Sequence, residues 1–378
     1  MRVPAASLLA LGLLAAGLAL AGGGGPAAST VQEVPAPRAI GRVLFTALAA
    51  GREGPVLAWT ERRPGSNFEL HAARLTGGGW TPLGGRLNEG PTFNAGQLTA
   101  RTDRAGRVWL GWSEDAGLAH VDSYLMSVWD GRGWSDPGRY AVRRNLSDAG
   151  RSRAFALEPD GTPTLAWVDI SVPGAWAGAV RPLVWRGGTW TPQPVLHDLS
   201  RAGFGPDLAV DTAGRRTVAF LEGDFATMNV RVRREEPGGA WISLGGALNR
   251  RSGSFAATPR LVLAPDGSPV VAWTEEDETG HDRLNVSRWR EGRWEALAEH
   301  VSPAGVSAEA PALALTPAGG PVAAWLEAGH LRGARWEGGR WVPLPLPATR
   351  EATGPSLSAD GAHLAVSDGG RLRVWRLR

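Results

Sequence analysis

The 378-residue chain has no cysteine and no lysine, and only two tyrosines. Without cysteine it has no disulfide framework, no thiolate metal site, no cysteine nucleophile and no lipidated cysteine. Without lysine, a Schiff-base mechanism and a Walker-type phosphate loop are excluded, and all 40 basic residues are arginine. Forty arginines against 37 acids leave a net charge of only +3, and no run of five basic residues occurs, so a nucleic-acid partner is not expected. Beyond the first 21 residues no segment is long and apolar enough to span a bilayer, and none shows helical periodicity.

The first segment reads as an export signal. Met1-Arg2 is a short positive start, Val3 to Ala21 is apolar, and Ala19-Leu20-Ala21 fits a small-x-small cleavage site. Residues 1–21 are therefore assigned to a signal peptide, 22–29 to a flexible linker and 30–378 to one domain. An uncleaved membrane anchor is the competing reading of the same run. The mature protein is expected to be secreted or periplasmic, with no membrane span.

What is abundant is glycine (52), proline (28) and tryptophan (18). A repeat of about 53 residues organises them. A first aromatic recurs at Trp59, Trp112, Trp167, Phe220, Trp273 and Trp325, and a second at Trp80, Trp134, Trp190, Trp241, Trp294 and Trp341. The clearest copy runs Pro259–Ala264, turn Pro265-Asp266-Gly267, Pro269–Glu275, Leu284–Trp289 and Gly292-Arg293-Trp294. A shorter copy occupies Leu357–Arg378. Each unit contains four short β-branched or aromatic segments separated by turn residues such as Asp160-Gly161 and Asp266-Gly267. Four-stranded units repeated radially make a β-propeller. The fold expected is all-β: a seven-bladed propeller of four-stranded antiparallel blades, with Thr30–Pro35 supplying the strand that the last copy lacks. Six blades and a loose tail are the alternative.

Residues invariant across blades belong to the scaffold, and those that vary are candidates for a site. The two tryptophan series read as inter-blade filler. An acid ends the second strand of every blade: Glu61, Glu114, Asp169, Glu222, Glu275, Glu327 and Asp368. This ring reads as caps for loop N–H groups or partners for third-strand arginines such as Arg74, Arg288 and Arg335, with a cation site as the alternative.

With the four segments of each unit labelled A to D in chain order, the A–B and C–D turns are short and the B–C and D–A loops long, so binding is expected on the loop-rich face at the mouth of the channel. The ligand-binding candidates there are Arg144, Arg151, His197, Arg201, Arg250 and Arg251, whose guanidinium groups would suit an anionic ligand such as a carboxylated sugar. Asn88, Asn94, Asn145 and Asn249 accompany them. Trp176 lies off the repeat pattern and is the candidate stacking aromatic. No catalytic residue and no metal ligand is nominated, and no cofactor is expected. The acidic loop Glu275–Asp282 could hold Ca2+ but lacks the ligand order of a calcium loop. Asn145-Leu-Ser147 and Asn285-Val-Ser287 match glycosylation acceptors.

The unit, with Asp-Gly-x-Pro-x-x-Ala-Trp and Gly-x-Trp, resembles secreted bacterial β-propeller repeat proteins of the broad sialidase-like and lectin-like kind. The resemblance covers residues 30–378 and is one of scaffold. It implies a loop-rich binding face and does not extend to the sialidase Ser-x-Asp-x-Gly-x-x-Trp boxes, arginine triad or paired tyrosine nucleophile. The function expected is an exported, monomeric, non-enzymatic propeller that recognises a glycan or cell-envelope protein. A sialidase-like glycoside hydrolase or lyase, using carboxylates or Tyr124 at the channel mouth, is the alternative.

Overall fold

The computed structural model describes residues 30–115, 123–143, 153–224 and 226–378. It contains seven four-stranded antiparallel sheets. The expected seven-bladed propeller is therefore the observed fold. Blade five shows the pattern: strand A Ala256–Leu263, strand B Pro269–Glu276, strand C Asp282–Arg290 and strand D Arg293–Ala296. The A strands of successive blades touch all the way round, including the last with the first, and so form the inner ring.

Closure occurs as the ragged ends required. Val31–Val34 pairs antiparallel with Arg371–Leu377, with Val31 opposite Leu377 and Val34 opposite Val374. Thr30 and Arg378 exchange both backbone hydrogen bonds at 2.9 Å. Blade seven thereby gains its fourth strand, and the exposed strand edge that an open ring would leave is removed.

The turns form for local reasons. Asp160 and Asp266 each accept the N–H two residues on at 2.8 Å, and Gly161 and Gly267 follow at φ 84° and 79°, a region costly for residues with a Cβ. Strand A carries a bulge at one recurring position in six blades, as between Ala257 and Arg260. A left-handed residue sits at this bulge in five of them: Gln97, Gly205, Thr258, Ala310 and Gly354. Blade two departs from the pattern at its rim. Trp134 makes only an isolated bridge to Trp129, a 3-10 turn spans Pro137–Tyr140, and strand D is Val142–Arg143.

The core consists of seven hydrophobic clusters, one in each wedge between blades. The first aromatic series is buried within them. The second series closes the outer rim. Trp134, Trp190, Trp294 and Trp341 each meet a strand C tryptophan edge-on, with centroids 5.3–5.6 Å apart. The indole N–H of Trp80, Trp134, Trp190, Trp294 and Trp341 donates to a carbonyl of the preceding blade's rim: Pro35, Leu83, Tyr140, Leu244 and Leu297. The bond from Trp80 to Pro35, just after the closing strand, ties blade one to blade seven in the same way as the others.

Candidate functional site

The acid ending strand B is a scaffold pin. Glu275 is buried and accepts hydrogen bonds from Arg250 N (2.9 Å), Arg251 N (2.9 Å), Ser254 Oγ (2.8 Å) and the Trp273 indole (2.9 Å). Glu61, Glu114 and Glu327 likewise accept the indole N–H of the tryptophan two residues before them. Glu61, Glu114 and Asp368 bind N–H groups of the loop entering their own blade. Burial pushes the Glu114 carboxyl up, against the pull of its Trp112 and backbone donors.

The arginine partners differ from those expected. Arg181, Arg231, Arg332 and Arg373, opposite the first aromatic position on strand C, face the acids at 3.6, 2.9, 2.9 and 3.2 Å. Arg74 pairs instead with Glu53, Arg288 donates to Gly319 O and Arg335 pairs with Glu337. The difference is one of register. The expected arginines lie three residues further along strand C, toward the short-turn face and away from the acid.

A second repeating pin runs from the D–A loop back to strand C. The side chains of Asn88, His197, Asn249, Ser302 and Thr349 accept the backbone N–H of Leu70, Val180, Val230, Leu284 and Leu331 at 2.7–3.0 Å. These residues stand seven or eight positions after the strand D tryptophan of their blades. That fixed offset is the signal by which sequence reasoning could have recognised them as scaffold.

The nominated binding residues therefore separate. Arg144 and Arg151 lie outside the described residues. His197 is one of the loop pins: it is buried, Nε2 accepts from Val180 N at 3.0 Å, and Nδ1 lies 2.9 Å from Asp198 O. Burial holds its pKa below the ordinary value, and a neutral ring with the proton on Nδ1 satisfies both contacts. Arg250 folds into the wedge, its guanidinium 5.1 Å from the Trp273 ring centre and bonded to Val286 O and Ser287 Oγ at 3.2 Å. Arg251 is exposed and reaches Glu276 O at 3.3 Å.

Trp176 and Arg201 lie on two loops that are joined by a backbone hydrogen bond. Trp176 lies in the B–C loop of blade three with 55% of its surface exposed. Its backbone N–H donates to Leu199 O at 3.1 Å, which ties that loop to the following D–A loop. Arg201 is exposed in the same loop, beside Asp198 and near Asp224 of blade four. Both carboxyls are held below their usual range, first by backbone donors in their own turns and also by Arg201. The result is an exposed indole on a loop hydrogen-bonded to the loop that carries Asp198 and Arg201, so that a stacking surface and ionised groups lie on neighbouring loops of one face.

Several other sequence candidates turn inward. Tyr124 is buried between blades two and three, with the Arg153 guanidinium 5.1 Å from its ring centre, and burial pushes its phenol up to about 12. Asn285 is fully buried and donates to Arg283 O at 2.9 Å, so it is not presented for glycosylation, and Asn145 lies outside the described residues. In the acidic loop, the Asp277 carboxylate accepts from Thr279 Oγ1 (2.6 Å), Thr279 N (2.9 Å) and His281 N (3.1 Å), shaping a turn. Among the described residues no group of three or more His, Asp or Glu is arranged to hold a metal ion, and no helix is long and apolar enough to cross a membrane.

No protein-family model and no curated protein matches the chain. Solved structures match it in fold. The β-propeller domain of Cps50 (Swd1) from Myceliophthora thermophila aligns with TM-score 0.58 and 15% identity over 92% of this chain and 98% of that one. A PL25 ulvan lyase, a polysaccharide lyase solved with a glucuronosyl-rhamnose-3-sulfate ligand, aligns with TM-score 0.57 and 12% identity over 92% and 95%. The Aleuria aurantia lectin, solved with a fucosyl-N-acetylglucosamine, aligns with TM-score 0.50 and 13% identity over 82% and 96%. At these identities the likeness is one of scaffold: the chain shares the β-propeller fold of lectins and polysaccharide-active enzymes, consistent with the scaffold resemblance seen in the sequence.

Proposed function

We propose that this protein is an exported glycan-binding propeller working in the cell envelope or outside the cell, and that its loop-rich face carries the binding surface. The observation that carries the reading is Trp176, a large aromatic off the repeat, displayed to solvent on a loop hydrogen-bonded to the loop that carries Asp198 and Arg201. Burying an indole face against the C–H face of a sugar is favourable, and carboxylate and guanidinium groups on the neighbouring loop supply directional contacts. Propeller neighbours that include a lectin and a polysaccharide lyase support a glycan as the ligand class.

The test is isothermal titration of the purified mature chain against a panel of bacterial envelope and plant polysaccharides. Binding to at least one polymer is expected, weakened tenfold or more by Trp176→Ala and by Arg201→Ala with the melting temperature unchanged. Retained binding in both variants removes the loop-rich face from the reading. Release of new reducing ends or unsaturated products from a bound polymer replaces it with a hydrolase or lyase.

A further inference from the structure

The short-turn face, opposite Trp176, contains a cleft of about 360 Å³ between blades three and four. Its walls include Glu158 and Asp160 from the A–B turn of blade three, Trp185 and Arg186 from the end of strand C, and Ala213 and Arg216 from blade four. The volume lies within the range of small-ligand sites, roughly 300–1,000 Å³.

Arg216 breaks the repeat. It stands four residues before Phe220, where the other complete blades have Pro55, Val108, Pro163, Pro269 and Pro321. Its side chain is only 9% exposed, yet it carries two ion pairs: Nε to Glu158 Oε1 at 2.8 Å and Nη1 to Glu235 Oε2 at 2.5 Å. Blades two, three, five and others close the same position with an apolar residue, so the scaffold does not need a buried ion triad, and such a triad is costly to desolvate. A departure of this kind, at a cavity, marks a site.

We infer that this cleft binds one neutral pyranose unit. The charges on its walls cancel: Glu158 and Asp160 oppose Arg186 and Arg216, which disfavours a strongly charged ligand. Two of the five guanidinium N–H groups of Arg216 are spent on the glutamates, leaving further donors beside the remaining acceptor sites of Glu158. A donor and an acceptor held side by side match a vicinal diol, whose two hydroxyls give and accept a hydrogen bond together. Burial raises the Glu158 carboxyl, with Arg216 opposing the rise. Trp185 supplies the apolar wall. Tyr140 and Trp190 back its ring edge-on at 5.2 and 5.3 Å, so the ring is fixed before a ligand arrives.

The inference shares the glycan reading above but places a second site on the other face, and the experiment separates the two. The full mature chain is titrated with methyl glycosides of glucose, galactose, mannose and fucose, and with methyl glucuronide. Binding of at least one neutral glycoside is expected, lost in Ala213→Trp, which fills the cleft from an exposed turn, and reduced tenfold or more in Glu158→Gln. Trp176→Ala leaves it unchanged. Binding that survives Ala213→Trp, preference for the glucuronide, or no binding of any neutral glycoside overturns the cleft. In each case polymer binding sensitive to Trp176→Ala leaves the loop-face reading standing. A single cooperative melt within about 2 °C of the parent for Ala213→Trp, and a few degrees lower for Glu158→Gln because of its lost ion pair, shows that the fold is intact.

Discussion

Replacing Glu275 by alanine tests whether the acid ring is a set of pins or a cation site. The substitution strands the Trp273 indole, which is fully buried, and two loop N–H groups at Arg250 and Arg251. Ser254 is spared, because its single hydroxyl proton can turn to Arg251 O, also 2.8 Å away. A buried donor left unsatisfied costs about 1–3 kcal/mol, and each charge-assisted backbone bond about 1 kcal/mol once water refills it, for a total of roughly 4 kcal/mol. Unfolding entropy near 2.1 cal/mol/K per residue over a ring of about 350 residues gives ~0.7 kcal/mol/K, so the melting temperature should fall by about 5–6 °C. Glu275→Gln keeps one acceptor oxygen and should fall by about half as much. The neighbouring Glu276→Gln is exposed and should shift by less than 1 °C, in keeping with surface substitutions worth under ~0.5 kcal/mol. Differential scanning calorimetry with and without added calcium decides the matter. A melt of Glu275→Ala equal to the parent, or a calcium-dependent rise present in the parent and absent in the variant, would refute the pin.

Two further outcomes follow from the same geometry. His363 and His197 are buried and held neutral, their pKa values lowered chiefly by burial, so stability is fully present above the ordinary value near 6.5 and is lost as pH falls through the lowered values. His363→Val, which restores the Val56, Val270 and Val322 pattern of other blades, should flatten that acid loss in urea midpoints measured at pH about 7.5 and 5.5; an unchanged slope assigns the loss elsewhere. Deleting residues 30–35 removes the closing strand, the Glu33–Arg373 ion pair and the bond from Trp80 to Pro35. The truncated chain should melt lower and self-associate through the bared edge of Arg371–Leu377 in light scattering, whereas a monomeric chain with the parent melt would show that closure is dispensable.

The candidate site was only partly legible in the sequence. Trp176 stood out because it breaks the repeat, and it is displayed to solvent. His197 and Asn249 looked like ligand groups because they are polar residues in loops, but both are pins whose role shows in the constant offset from the strand D tryptophan. Arg250 reads as a loop cation in the sequence, but its guanidinium lies over the Trp273 ring and bonds to Val286 O and Ser287 Oγ. The cleft is not legible in the sequence, because Glu158, Arg216 and Glu235 lie 58 and 19 positions apart and form no motif.

What the sequence determined by itself is the architecture. Alternating strands, αL glycines after aspartate and a 53-residue spacing of tryptophans are local or periodic signals, and they specify a propeller of four-stranded blades, with seven blades expected and six as the alternative until the pairing of Val31–Val34 with Arg371–Leu377 decided for seven. The two ragged ends specified how it closes. What only the tertiary structure decided is which polar groups are consumed and which are offered. The partner of a loop side chain depends on the register of strand C and on the neighbouring blade across the wedge. The strand C arginines that meet the acids, the burial of Tyr124 and the ion triad facing Trp185 therefore became visible only once adjacent blades were packed together.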